Sequence, residues 1–489
     1  MKKVFWSCLF LTGCMTGCMV GPNYQAPENN VADQWSTVET GEISKEEPLI
    51  AWWRVFNDPL LDKYIELAVD HNNTILAAED NILQARALRQ VAASSLFPQV
   101  NGYLDGDRMH FSKNGLFFGN PVTTAAPPAA AAAAAGAATS PFKPTTSVFT
   151  ALFDASWELD LFGKTRRSVQ AADANIGLAI EKKRDALISV MAEIARNYIE
   201  IRSTQRNTAL VEENIELLER NAEIVRQNFA GGLYNKLNLE TIEANLAAAR
   251  SVLPDLYAQI LSGIYSISIL TGNVPETLMN ELLVMRPLPS VPDSVAVGLR
   301  SDLLRRRPDV RASERQLANA TANLGVAVAS FFPTISLLGL GGLQSLKIKD
   351  LFQLPSRTWL AGGGITIPIF QGGQLVGNLR SNRASVSSAA HNYQQTVLTA
   401  LQDAETALTN YTHDLKAVDQ WKENTFHNKK LTQLTEQRYT QGLVGLIDYL
   451  TIQQQLVTAE QNLLQSRTKS LVDLIALYKA LGGGWQVGD

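Results

Sequence analysis

The sequence predicts a mainly α chain that lends four strands to a membrane β-barrel, closed only when several copies assemble. Three observations predict this. The chain reads twice, with motifs recurring in the same order. Each half offers only two strands. Each half then enters a long proline-free stretch, Lys164–Ala230 and Gln374–Gln441, that reads as one very long helix.

The N-terminus reads as a lipoprotein signal over 1–17. Lys2 and Lys3 precede the apolar run Val4–Leu11, too short to span a bilayer as a stable helix. Small residues then lead to a cysteine twice, at Leu11-Thr12-Gly13-Cys14 and at Met15-Thr16-Gly17-Cys18. Cys14 has the better residue three positions upstream, Leu11. Cys18 has the better downstream run, Met19-Val20-Gly21-Pro22-Asn23-Tyr24. Cys18 is the favoured acylation site and Cys14 the alternative; an ordinary cleaved signal is the plain reading. Acyl chains contribute ~0.8 kcal/mol per buried CH₂, so several anchor a protein without a transmembrane helix. That covalent lipid is the one attached group expected; no cofactor and no metal are. Residues 18–59 follow as an extended, lipidated segment.

The first repeat is placed at 60–280. Leu76, Ala77, Asp80, Leu83, Gln84 and Ala87 follow helical spacing within 60–96. Pro98 ends that helix and starts an extended run. Strands are expected at about 98–112 and 146–160, the second alternating through Val148, Thr150, Leu152, Asp154 and Ser156. Between them lies an Ala/Pro tract, about 119–145, tolerable only as a surface loop. A helical hairpin follows over 164–270. At 1.5 Å per residue its first helix would run roughly 100 Å, about three times a bilayer's hydrocarbon core, and must pack along its length.

After a linker at 281–300, the second repeat occupies 301–481. It has a helix, strands at about 333–343 and 359–369, and a hairpin over 374–481; residues 482–489 form a tail. The correspondence is residue by residue. Ser95-Leu96-Phe97-Pro98 recurs as Ser330-Phe331-Phe332-Pro333, an offset of 235. Leu161-Phe162 recurs as Ile369-Phe370, an offset of 208, and Gly231-Gly232-Leu233 as Gln441-Gly442-Leu443, an offset of 210. Gly341, Gly342, Gly362, Gly363 and Gly364 fit barrel curvature better than phosphate binding, since no strand–GxGxxG–helix context surrounds them.

Four strands cannot close a barrel, and open sheet edges in lipid leave backbone groups without partners. Two copies would give eight strands and a filled interior; three give twelve and a hydrated lumen, so a homotrimer is favoured. The net charge of −4, without a basic stripe, gives no reason to expect nucleic acid as a partner. Cys8, Cys14 and Cys18 are the only cysteines, which excludes a disulfide framework in the body. His71, His110, His391, His413 and His427 show no metal spacing, and HExxH, GxSxG and P-loop motifs are absent, so no enzyme is expected.

Several runs carry a resemblance: Cys18 with Val20-Gly21-Pro22-Asn23-Tyr24, Trp52-Trp53 through Asp58-Pro59-Leu60, Leu303-Leu304-Arg305-Arg306-Arg307-Pro308-Asp309, the two Phe-Pro strand starts, and Pro368-Ile369-Phe370. Together the chain resembles the outer-membrane efflux factor (TolC-like) family, in its lipoprotein branch. The resemblance implies a homotrimer with a twelve-stranded outer-membrane barrel continuous with a twelve-helix periplasmic barrel. It implies an exit duct for drugs or other small toxic compounds, working with a periplasmic adaptor and an inner-membrane transporter of the RND type. It implies that the hairpin tips, Gly231, Gly232, Leu233, Gly442, Leu443 and Val444, meet the adaptor; a plain structural turn is the alternative. It implies a periplasmic gate at Tyr439 and Asp448, although Val444 stands where the family has an arginine and Thr451 where it has a second aspartate. Three copies of Asp448 would form an acidic ring favouring cations; an acid complementing a helix N-terminus is the alternative. Arg305, Arg306, Arg307 and Asp309 read as structural. A type I protein-secretion duct is the runner-up in this fold. A periplasmic adaptor lipoprotein or a trimeric adhesin is the alternative outside it.

Overall fold

A computed structural model describes residues 19–27, 32, 34–35, 43–44, 50–112, 145–290, 295–298, 300–301 and 303–485. The signal segment, Cys14, Cys18 and nearly all of the Ala/Pro tract lie outside them. In chain order the strands are β1 (Ile43–Ser44), β2 (Gln99–His110), β3 (Thr145–Leu159), β4 (Val295–Ala296), β5 (Thr334–Ser345) and β6 (Arg357–Thr366). The main helices are α1 (Pro59–His71), α2 (Asn73–Ser94), α3 (Lys164–Ala230), α4 (Lys236–Leu270), α5 (Pro308–Ala329), α6 (Gln374–Thr440) and α7 (Leu446–Ala480). No described helix is long and apolar enough to cross a membrane.

The helix expected over 60–96 is two helices. Asp58 caps α1 by accepting from Leu60 N, with Pro59 in the first turn, where its missing N–H costs nothing. Asn72 then takes an extended conformation. Its Oδ1 accepts from Thr74 N and Ile75 N, and its Nδ2 donates to Leu270 O at 2.7 Å. One buried amide therefore ends α1, starts α2 and holds the end of α4. In contrast, α4 continues through Pro254.

Contacts divide the chain into two compact units, and these are not the two repeats. The first contains the described residues up to Tyr24, Arg86–Asp173 and Asn319–Val386. It holds the sheet, ordered β2-β3-β5-β6 and antiparallel throughout. Among the described residues of the single chain, both outer strands, β2 and β6, have a free edge. The second contains Gln25–Ala85, Ala174–Ala318 and Ser387–Asp489 as far as described. Its main core is apolar and aromatic: Trp52 stacks on Tyr478 at 5.4 Å and packs with Leu61, Tyr64, Ile65, Ile194, Tyr198 and Leu474. A second cluster lies near the hairpin tips, built from Val211, Leu218, Val225, Ile242, Leu246, Leu446 and Tyr449.

The Arg-Arg-Arg-Pro-Asp run is structural. Arg307 is pinned by Asp309 at 2.7 Å, by Asp403 at 3.1 Å and by Ala480 O, tying the start of α5 to α6 and α7.

Candidate functional site

The two hairpin tips have the same backbone plan. Leu233 N donates to Asn228 O at 2.8 Å in the first, and Leu443 N to Arg438 O at 2.9 Å in the second. The residue before each leucine, Gly232 and Gly442, has φ of 75° and 73°, a left-handed conformation that glycine adopts without a Cβ clash. Gly231, Leu233 and Leu443 are exposed and Val444 is half-buried. Two free leucines at the turns give these tips an apolar end.

Below the turns the hairpins are joined by neutral polar groups. Tyr439 stacks on Tyr449 with ring centres 4.9 Å apart, and its hydroxyl lies 3.0 Å from that of Tyr234 in the other hairpin. Gln453 Nε2 donates to the Tyr449 hydroxyl at 2.6 Å, and Asn221 Nδ2 reaches Gln453 Oε1 at 3.4 Å. Burial, and then the hydrogen bond to Tyr234, hold the Tyr439 phenol well above its ordinary pKa; burial also raises Tyr449. Both rings stay uncharged at any physiological pH, so this link resists pH and salt in a way an ion pair would not.

Of the two residues expected at a gate, Tyr439 therefore enters an in-chain network. Asp448 does not join it: it lies exposed in the first turn of α7, after Gly445, where its charge complements the helix N-terminus. Thr451 donates to Ile447 O within the same helix. Sequence reasoning missed Tyr234, Tyr449, Gln453 and Asn221. Within the duplication, Tyr234 corresponds to Val444, so comparing one repeat with the other concealed that Tyr234 meets Tyr439 across them.

A second assembly fastens the segment after Cys18. Arg167 at the start of α3 is only 2% exposed. Its guanidinium donates to Val20 O at 3.2 Å, Gly21 O at 3.1 Å, Asn23 Oδ1 at 2.9 Å and Gln170 Oε1 at 2.9 Å. Val20 N in turn donates to Phe162 O. The fit is close: a Cβ on Gly163 would meet Met19 Cγ at 2.6 Å, and one on Gly21 would meet Gly325 Cα at 2.8 Å. Three glycines thus let the segment 19–23 lie against the strand-to-helix junction.

Alternation along the strands separates two faces of the sheet. The ladders place Asn101, Asp105, Asp107, Thr150, Asp154, Ser156 and Glu158 on one face. The other carries Val100, Leu104, Phe149, Phe153, Trp157, Leu337, Trp359 and Ile365, and no carboxylate. Leu104, Phe153, Trp359 and Ile365 are exposed in the single chain.

Comparison with known proteins gives a consistent result. The model of a family described as outer membrane efflux protein matches residues 64–273 and 299–483. A curated relative, the antibiotic efflux pump outer membrane protein ArpC of Pseudomonas putida, is 28% identical over 99% of this chain and 96% of its own length. Among solved structures, the outer-membrane channel OprN superposes with a TM-score of 0.86 at 27% identity, covering 96% of this chain and all of that one. The CmeC outer membrane channel of Campylobacter jejuni gives a TM-score of 0.85 at 24% identity, over 96% of each chain.

Proposed function

The chain belongs to the outer membrane efflux protein family, and from that premise we propose that three copies pool their sheets into one twelve-stranded channel, the exit duct of a tripartite efflux pump. The observation that carries this is the four-stranded sheet with, among the described residues, two free edges, one face bearing Asp105, Asp107, Asp154 and Glu158, and one face without carboxylates that is apolar away from the end carrying Arg108, His110 and Arg357. In a barrel the apolar face meets lipid and the acidic face lines water; free edges in lipid are eliminated only by pairing with another copy.

The finer assignments follow from the same reading. Acyl chains on Cys18 anchor the N-terminus in the inner leaflet of the outer membrane. The tips at Gly231, Gly232, Leu233, Gly442, Leu443 and Val444 meet a periplasmic adaptor, whose inner-membrane partner is a transporter of the RND type. The cargo is drugs or other small toxic compounds. One relative is named for antibiotic efflux and another, TtgC of Pseudomonas putida, for toluene efflux, which supports small organic cargo. Asp448 contributes one carboxylate per copy to an acidic ring at the closed end.

Reconstitution of the purified chain in planar bilayers tests this. Discrete cation-preferring conductance is expected, and Asp448→Ala should increase leak through the closed state and weaken the cation preference. A folded preparation that remains a single subunit and conducts nothing would overturn the channel. Conductance unchanged by Asp448→Ala would overturn only the ring.

A further inference from the structure

The duplication lets contacts inside one chain specify contacts between copies. Where the repeats meet within the chain, β3 pairs with β5, and the ladder runs down to Leu159 opposite Ile335. Beyond the end of this ladder, three residues after Leu159 and three before Ile335, Phe162 stacks on Phe332 with ring centres 4.8 Å apart. Behind this junction α5 packs on α3: Asn319 Nδ2 donates to Ala171 O at 2.8 Å, and Arg167, Ala171 and Ala322 are buried.

Every one of these groups has a counterpart in the other repeat, and every counterpart is bare. Phe162 corresponds to Phe370 and Phe332 to Phe97 by the offsets of 208 and 235. Phe370 is 88% exposed and Phe97 67%. Gly377, Ser381 and Ala87, which correspond to Arg167, Ala171 and Ala322, are exposed as well. Phe370 follows the end of β6 and Phe97 precedes the start of β2, so both come at the same end of the two outer strands.

We propose that Phe370 of one copy stacks on Phe97 of the next, repeating between chains the Phe162–Phe332 contact made within each. The occupant of this surface is a second copy of the same chain, and the inference rests on the shared-barrel reading above. It also fixes a strand register. Applying the two offsets to the β3–β5 ladder sets Ile365 of β6 opposite Gly102 of the neighbouring β2, and Ile367 opposite Val100. Ile365 and Gly102 occupy the same face of their own sheet, so the joined sheets keep the carboxylate-free face continuous around the ring. Stacked aromatic pairs of this kind give direction as well as burial.

The chain has no cysteine beyond Cys18, which gives a clean background for cross-linking. Phe97→Cys combined with Phe370→Cys, treated with a short bis-maleimide in membranes, should yield covalent dimers and trimers on a denaturing gel. Either cysteine alone should give monomers. Phe162→Cys with Phe332→Cys should cross-link within the chain and stay monomeric in mass. Trimers seen by native mass without covalent products would overturn the contact and leave the channel standing; the absence of trimers would overturn both. A second measurement covers a double-cysteine chain that fails to fold. Phe97→Ala and Phe370→Ala should each lower the temperature at which the trimer dissociates, the double variant should lose little more than either, and Phe370→Trp should retain most of it. Additive losses would contradict a direct contact.

Discussion

Arg167 shows how one side chain can hold a chain end. A buried guanidinium is tolerated only with its donors satisfied, and here two carbonyls and two side-chain oxygens satisfy them. Arg167→Ala leaves the carbonyls of Val20 and Gly21 without their donor, at about 1–3 kcal/mol for each buried polar group left unpaired. The expected outcome is local: faster hydrogen exchange and protease cleavage around residues 19–23, with the sheet intact. Unchanged protection of that segment would show that the glycine contacts hold it alone. None of this was legible in the sequence. Arg167 stands in an Arg-Arg pair that reads as a solvated helix start, and no local pattern announces a partner 147 residues away. Tyr439 was singled out because the family resemblance implies a tyrosine near the second turn, whereas Tyr234 was hidden because the side chain of its counterpart, Val444, has no hydroxyl.

At the scale of elements, backbone demands are met by few residues. Gly442 has left-handed φ and nothing within 4 Å of where a Cβ would be. Gly442→Ala therefore tests conformation without steric interference. It should destabilise the tip by ~1–2 kcal/mol, the usual cost of left-handed backbone for a residue with a Cβ. Exchange of the amides around the second turn would reveal this, with the core unaffected; equal protection in both proteins would show that the turn relaxes. The break at Asn72 was present in the sequence as a short run of capping residues, Asn72-Asn73-Thr74, but helical periodicity continues across it. What decides the break is Leu270 O, whose need for a donor is visible only once α4 is folded beside it. Strand positions were read to within a few residues because alternation and the Phe-Pro starts are local signals.

For the whole molecule, stability has an alkaline limit written into its core. Burial first, then the hydrogen bond to Asp58, raise the pKa of Tyr198 to about 12, and burial raises Tyr478 to about 12, from an ordinary value of 10.0. Between these values the folded state keeps protons that the unfolded chain has lost, so stability falls as pH rises through that window. The thermal unfolding temperature should therefore fall from pH 10 to 12. Tyr198→Phe should flatten the slope; an unchanged slope would place the loss elsewhere. The sequence by itself determined the family, the duplication, the four strands of the main sheet and the long helices. All of these depend on periodicity, chain length and backbone valence, which are properties of consecutive residues. Only the tertiary structure decided that the compact units cut across the repeats, that Arg167 clasps the segment after Cys18, and that Tyr439 faces Tyr234 rather than Asp448. Such contacts join residues far apart in sequence, and close packing selects among many chemically plausible partners only after the chain has folded.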